Sequence, residues 1–236
     1  MTYPIVLLSF AGLVVVGFMM FVLPGMTSMF TKSGQALPGP TQLMMDASYF
    51  LTNYYIIIGI ALTLFITSFK YWKQTPNGRL KIDTFLLRAP FINYFVKIKA
   101  VVQFSKTLGM LLESGVHLPE ALDIVSNIVD NKALVHRLSE ARDKIIKEGK
   151  IAKYLKETKI FPSIASYMIK TGEESGKLAQ MLTTVGNDYD EELNEIIDGL
   201  TAAINPVMTI LLAGIVIFIV LSIFLPIMQM GDIAGI

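Results

Sequence analysis

The sequence predicts an all-α membrane protein: three transmembrane helices and one charged helical domain between the second and the third. Three observations predict it. Charge is segregated: 19 of the 20 Lys and Arg lie between Lys70 and Lys177, and every Asp and Glu except Asp46 and Asp232 lies between Asp83 and Asp198. Three of the nearly uncharged stretches are long enough to cross a hydrocarbon core, which takes about 20 helical residues. The charged region repeats its apolar residues at three-and-four spacing, the mark of one buried helix face, and shows no convincing strand alternation.

The first span is placed at 1–23. It is uncharged from Pro4, and it ends at Leu23-Pro24-Gly25, a natural helix stop. A basic leading region and a small-residue cleavage site are both lacking, so a secretory signal fits poorly. Residues 24–49 are expected as an extracytoplasmic loop, since the run TSMFTKSGQALPGPT is rich in Ser, Gly and Pro. The second span is placed at 50–72, most apolar from Tyr54 to Phe69. Gly59 and Ala61 are small enough to admit a neighbouring helix or are ordinary membrane-helix composition. Tyr54, Tyr55, Tyr71 and Trp72 suit the two interfaces.

Basic residues set the orientation. Lys70, Lys73, Arg79, Lys81 and Arg88 follow the second span, whereas the loop before it holds only Lys32. The charged side is therefore expected in the cytoplasm, with the amino terminus. The 24–49 loop and the tail at 227–236 are expected outside.

A cytoplasmic helical domain is expected over 73–202. One helix runs from Tyr94, with Ile98, Val101, Phe104, Leu108 and Leu111 on one face, and stops at Ser114 and Gly115. Pro119 starts the next, to about Ile128. Asp130 or Asn131 caps a third, with Leu134, Leu138, Ala141 and Ile145 inward, Arg137, Arg142, Lys144 and Lys147 outward, and Gly149 closing it. A short helix follows near Ala152 to Glu157. In the last helix Leu182, Val185, Tyr189, Leu193, Ile196 and Leu200 form an apolar stripe. Asp188, Glu191, Glu195 and Asp198 fall nearly opposite, as a solvated face or a docking surface for a basic partner; the sequence permits both. Asn205-Pro206 leads into the third span, 203–226, either as a kink or as a new helix start. Leu225-Pro226 is expected to end it.

The stretch from Phe161 to Leu178, FPSIASYMIKTGEESGKL, reads as a helix, a glycine-closed turn and a second helix. Pro162 suits the first helical turn. Gly172 is expected in the left-handed conformation that closes the helix. Ser175 is expected to cap the next helix, with Glu173 and Glu174 beside that helix's positive end. A phosphate-binding loop is excluded: only three residues separate Gly172 from Gly176, Leu178 replaces the magnesium-binding hydroxyl, and a helix precedes the turn.

Nothing in the sequence assembles a catalytic site. Without cysteine there are no disulfides, thiolate metal sites or thiol nucleophiles. His117 and His136 lie in separate elements without the spacing of a zinc helix, one expected in a turn and one on the surface. Glu173 and Glu174 are adjacent on a turn and point apart, a poor general acid and base. No cofactor is expected, and a net charge of +1 gives no basis for a nucleic-acid partner. The span cores lack ionisable groups, which disfavours the competing class, a small channel or transporter subunit.

Five segments in order, LGMLLESGVHLPEAL, ARDKIIKEG, FPSIASYMIKTGEESGKL, INPVM and FLPIMQMGDI, resemble the inner-membrane platform protein of type II secretion systems and type IV pili, the secretion F family. Competence machinery of Gram-positive bacteria uses relatives. The resemblance covers the whole chain. It implies that the cytoplasmic domain is an antiparallel six-helix bundle in a multi-pass protein of the bacterial inner membrane. It also implies a non-enzymatic role: coupling a cytoplasmic hexameric ATPase to insertion of pilin or pseudopilin subunits, in contact with other inner-membrane assembly proteins and lipid, as a homo-oligomer. On that resemblance Gly115, Gly172 and Gly176 are tight interhelical turns, and Glu173 and Glu174 an acidic turn that orients helices or meets a partner. Phe161, Pro162, Ser175 and Leu178 complete the motif. Two departures stand out. The family usually carries a second cytoplasmic copy before the first span, so the chain is expected to be a fragment or a single-copy variant. The acidic residue common before the proline of the third span is here Asn205.

Overall fold

A computed structural model describes residues 2–22, 24–25, 39–90 and 92–233 of the chain. Its helices are α1 (Thr2–Gly17) with a π-helical turn at Phe18–Val22, α2 (Gly39–Gln74), α3 (Pro76–Arg88), α4 (Ile92–Glu113), α5 (Leu118–Ser126), α6 (Lys132–Glu148), α7 (Ile151–Glu157), α8 (Ser163–Glu174) and α9 (Leu178–Ile233). No strand occurs among the described residues. The chain divides into two compact units, Met1–Ile66 with Gly199–Ile236, and Thr67–Asp198.

The first unit is the apolar one. Helices α2 and α9 are long and apolar enough to cross a membrane, and a shorter apolar stretch covers Ile5–Phe21. Ile57, Phe65, Ile210 and Ile217 all face outward, as side chains that have lipid for a solvent do. Without a hydrophobic drive between helices in lipid, packing and interhelical hydrogen bonds hold them together. Both are present. Met19 and Met44 bury against each other with Val15, Phe18 and Ile219. The Thr41 hydroxyl donates to Ser222 O at 2.9 Å, and the Ser48 hydroxyl to Met19 O at 3.1 Å.

Two expected boundaries move. Helix α2 opens at Gly39, so residues 39–49 of the expected loop are helical; 26–38, with Lys32, lie outside the described residues. Pro40 occupies the first turn, where its missing N–H costs nothing. Helix α9 neither breaks nor restarts at Asn205-Pro206, and it runs past Leu225-Pro226 to Ile233. In apolar surroundings the backbone has no water to turn to, so keeping the remaining helical bonds outweighs the bond each proline removes. The end of the expected tail, 234–236, lies outside the described residues.

The second unit closes on one core. Ile98, Val101, Phe104 and Leu108 of α4 are buried with Leu134, Leu138, Ala141 and Ile145 of α6, as their spacing predicts. Leu155, Ala165 and Ile169 join them, as do Leu182, Val185 and Tyr189 of α9. The stripe on α9 thins at Leu193, and Leu200, expected inward, is exposed because the helix outruns that core. Phe104 and Phe161 meet edge to face at 5.5 Å, a favoured aromatic geometry.

Caps and turns fix the connections. The Asn131 side chain accepts from Ala133 N and Leu134 N. Gly149, at φ +70, closes α6. Helix α3 went unread in the sequence although Thr75-Pro76 carries its signal: Thr75 Oγ1 accepts from Gly78 N at 3.1 Å. It is pinned to α6 by Asp83, whose carboxylate accepts from Lys132 N at 2.8 Å and whose carbonyl accepts from Asn131 Nδ2 at 3.1 Å. Beside them Lys99 lies 2.6 Å from Asp130 and holds its carboxyl below the usual carboxylate range.

Candidate functional site

The motif stretch builds a helix, a turn and a helix, with different residues in the punctuation roles. Pro162 stands at the N-cap, one position before α8. At the other end Ser175 is the C-cap of α8 and does not cap α9; its hydroxyl donates to Thr171 O at 2.7 Å. The left-handed residue is Gly176, at φ +71, and Lys177 N donates to Gly172 O at 2.8 Å. A glycine two past the last helical residue, with a bond from the following N–H back to the third-last carbonyl, is the Schellman closure. The same device ends α4: Gly115 has φ +82 and Val116 N donates to Leu111 O at 3.0 Å.

Gly172 is helical and buried rather than left-handed. A Cβ there would lie 2.6 Å from Met181 Cβ and 2.7 Å from Met181 Cγ, so it is the closeness of α9 that requires glycine. Leu178 begins α9 and packs on the core. Both GEESG glycines are thus needed, the first for proximity and the second for backbone conformation.

The adjacent carboxylates part company. Glu173, half-buried, reaches α7 and takes both of its first free amides, Ile151 N on Oε1 at 2.8 Å and Ala152 N on Oε2 at 3.0 Å. A negative charge there satisfies orphan donors and meets the positive end of the helix. The positive end it serves belongs to α7, not to the following helix as expected. Glu174 points to solvent and pairs only loosely with Lys170, at 3.5 Å.

Between α7 and α8 lies an open groove of about 880 Å³. Lys150, Lys153, Lys156 and Lys170 line it, with Ile164 and Tyr167 at its surface. Ser166, 4% exposed, also lines it, and its hydroxyl has no hydrogen-bond partner among the described residues. The sequence reading missed this groove. The spacing of Lys150, Lys153 and Lys156 put three cations along one side of α7, but the partner wall on α8 was not apparent.

The acidic residues of α9 divide in two. Asp190 pairs with Lys106 at 2.7 Å, and Glu192 accepts from the Tyr94 hydroxyl, both on α4. That bond, with burial, pushes the Tyr94 phenol up to about 12. Burial raises Tyr189 as well. Asp188, Glu191, Glu195 and Asp198 are exposed along the other side. His117 sits in the turn before α5 and His136 is exposed beside Glu140. Among the described residues no three or more His, Asp or Glu gather where a metal could be held.

The family model described as Type II secretion system (T2SS), protein F, matches residues 104–226. The Type IV pilus assembly protein PilC of Myxococcus xanthus is 33% identical over 231 residues, which are 98% of this chain and 55% of the relative. The same-named protein of Thermus thermophilus is 35% identical over 235 residues, 97% and 57% of the two chains. The Type II secretion system protein F of Vibrio cholerae is 28% identical over 233 residues, 99% and 57%. The chain therefore spans a little over half the length of these relatives. With the motif turn and the buried Phe161 inside residues 104–226, and relatives above 30% identity matched over nearly the whole chain, the chain belongs to the type II secretion system protein F family.

Proposed function

We propose that the protein is a non-enzymatic platform of the bacterial inner membrane that couples a cytoplasmic assembly ATPase to insertion of pilin or pseudopilin subunits. The observation that carries this reading is the family match over residues 104–226, shared with relatives named for type II secretion and for type IV pilus assembly. The architecture supports it. A coupling protein needs a rigid lever on one side of the membrane and anchors within it; a compact charged unit and a separate apolar unit meet both needs. On this reading residues 73–202 form the cytoplasmic domain, the three apolar stretches are spans, and several copies work together.

The motif turn then serves as a stiffener. Glu173 ties α7 to α8, and Gly172 and Gly176 hold α8 against α9, leaving the exposed Glu174 and the acidic side of α9 for partners. Crosslinking and co-purification from cells test the proposal: the cognate ATPase and pilins should be recovered with this chain. Filament assembly that continues after loss of the gene would overturn it.

A further inference from the structure

The groove between α7 and α8 has the makings of an acceptor for acidic side chains. Lys150 and Lys156 form no ion pair among the described residues, although the charge of Lys150 bears on Glu148. Lys153 lies 3.7 Å from Glu148 and donates to the Tyr154 hydroxyl at 3.2 Å, and Lys170 lies 3.5 Å from Glu174. Glu173, the other carboxylate in the wall, is already committed to two backbone amides. Ser166 adds a buried hydroxyl without a hydrogen-bond partner among the described residues, an arrangement that costs free energy until something accepts or donates there. Ile164 and Tyr167 are 69% and 71% exposed, a pair of anchors of the kind that interface cores favour.

One surface of the same molecule has the matching chemistry. Asp188, Glu191, Glu195 and Asp198 follow three-four-three spacing on α9, so they form one ridge about 15 Å long at 1.5 Å per residue. All four are exposed, and none forms an ion pair among the described residues.

We propose that the acidic ridge of α9 in one copy docks into the lysine groove between α7 and α8 of a second copy. Carboxylates of the ridge meet Lys150, Lys153, Lys156 and Lys170, one of them accepts from Ser166, and the methylene stems of the glutamates cover Ile164 and Tyr167. Groove and ridge are different surfaces, so the contact is head to tail and each copy offers both halves, which generates a ring or an open row. The inference rests on the reading that several copies work together, and it names the faces that join them.

The test uses the full chain in detergent micelles at low salt, with self-association measured by light scattering after size exclusion. Lys153→Glu with Lys156→Glu should weaken association roughly tenfold or more, as loss of close charge pairs does at an interface. Glu191→Lys with Glu195→Lys should do the same. Mixing the two variants should restore association, since the reversed groove then meets a reversed ridge. Circular dichroism melts of each variant serve as the folding control, and Lys153→Gln with Lys156→Gln is the milder second pair should the charge reversals unfold. A chain that does not self-associate, one indifferent to these charges, or variants that fail to rescue one another would each overturn the proposal. So would a groove variant that still self-associates but loses a different acidic protein. Failure of the platform reading looks different: filament assembly would persist without the gene, whatever the charge swaps did.

Discussion

Glu173 and Glu174 are neighbours of identical chemistry, and their surroundings give them unequal weight. Glu173 supplies two charge-assisted hydrogen bonds to amides that have no helical partner. Its loss leaves those amides unsatisfied in a half-buried place, so Glu173→Ala should cost about 1–3 kcal/mol. Glu174 is solvated and joined to an equally exposed lysine, so Glu174→Ala should stay within about 0.5 kcal/mol. Denaturant melts of the two variants in detergent check this, and equal losses would refute the cap. A second residue-scale outcome concerns pH. The folded chain binds the Tyr94 proton more tightly than the unfolded chain, because the protonated hydroxyl donates to Glu192. The resulting stabilisation is complete below the ordinary tyrosine range and fades as pH rises through about 12. Ultraviolet titration of phenolate absorbance should therefore show a late-titrating component to which Tyr94 and the buried Tyr189 both contribute, and Tyr94→Phe should remove the part that titrates through about 12.

At the scale of elements the question is why α8 and α9 lie as they do, and glycine gives the answer in two ways. Alanine is the better helix former by about 1 kcal/mol, so Gly172→Ala would stabilise a helix that merely tolerated its glycine. Here the new methyl would meet Met181 at its Cβ and Cγ, atoms too near the backbone to swing aside. The substitution should therefore destabilise by about 1–3 kcal/mol, the usual cost of overpacking. The sign of the change in melting temperature decides between the two. Gly186 faces a similar wall on α4, where a Cβ would lie 2.9 Å from Lys106 N, and Gly186→Ala should lose stability for the same reason.

These elements also show what a sequence can and cannot reveal. Asn131, Gly149 and the buried faces of α4 and α6 were legible because cap chemistry and helical spacing are local properties. The GEESG turn was legible as a turn, but either glycine satisfies the local rule for closure. Only Met181, brought in by the return of α9, assigns proximity to Gly172 and the left-handed conformation to Gly176. The partners of Glu173 lie more than twenty residues away in the chain, where no periodicity points. The lysine groove escaped for the same reason, since its two walls belong to different helices. Helix α3 is different: Thr75-Pro76 announced it locally and the signal went unused.

At the scale of the whole molecule, the segregation of charge makes one arrangement far cheaper than its alternatives. The stretch from Lys70 to Asp198 carries 19 basic and 17 acidic residues. Each charge drawn into a bilayer centre costs at least about 2.5 kcal/mol, so the whole stretch is expected on one side of the membrane. Which side follows from the loops: five basic residues lie within twenty positions of Phe69, against Lys32 alone before the second span. Flanking lysines and arginines are retained in the cytoplasm, and the platform proposal, in which this domain takes force from a cytoplasmic ATPase, requires the same side. An impermeant amine reagent applied to intact cells should therefore label Lys32 while sparing Lys81 and Lys144. In inverted membrane vesicles the pattern should reverse, with Lys81 and Lys144 labelled and Lys32 protected. Labelling of Lys81 or Lys144 from the outer face of intact cells would place the charged unit opposite to any cytoplasmic motor and remove the physical basis of the coupling.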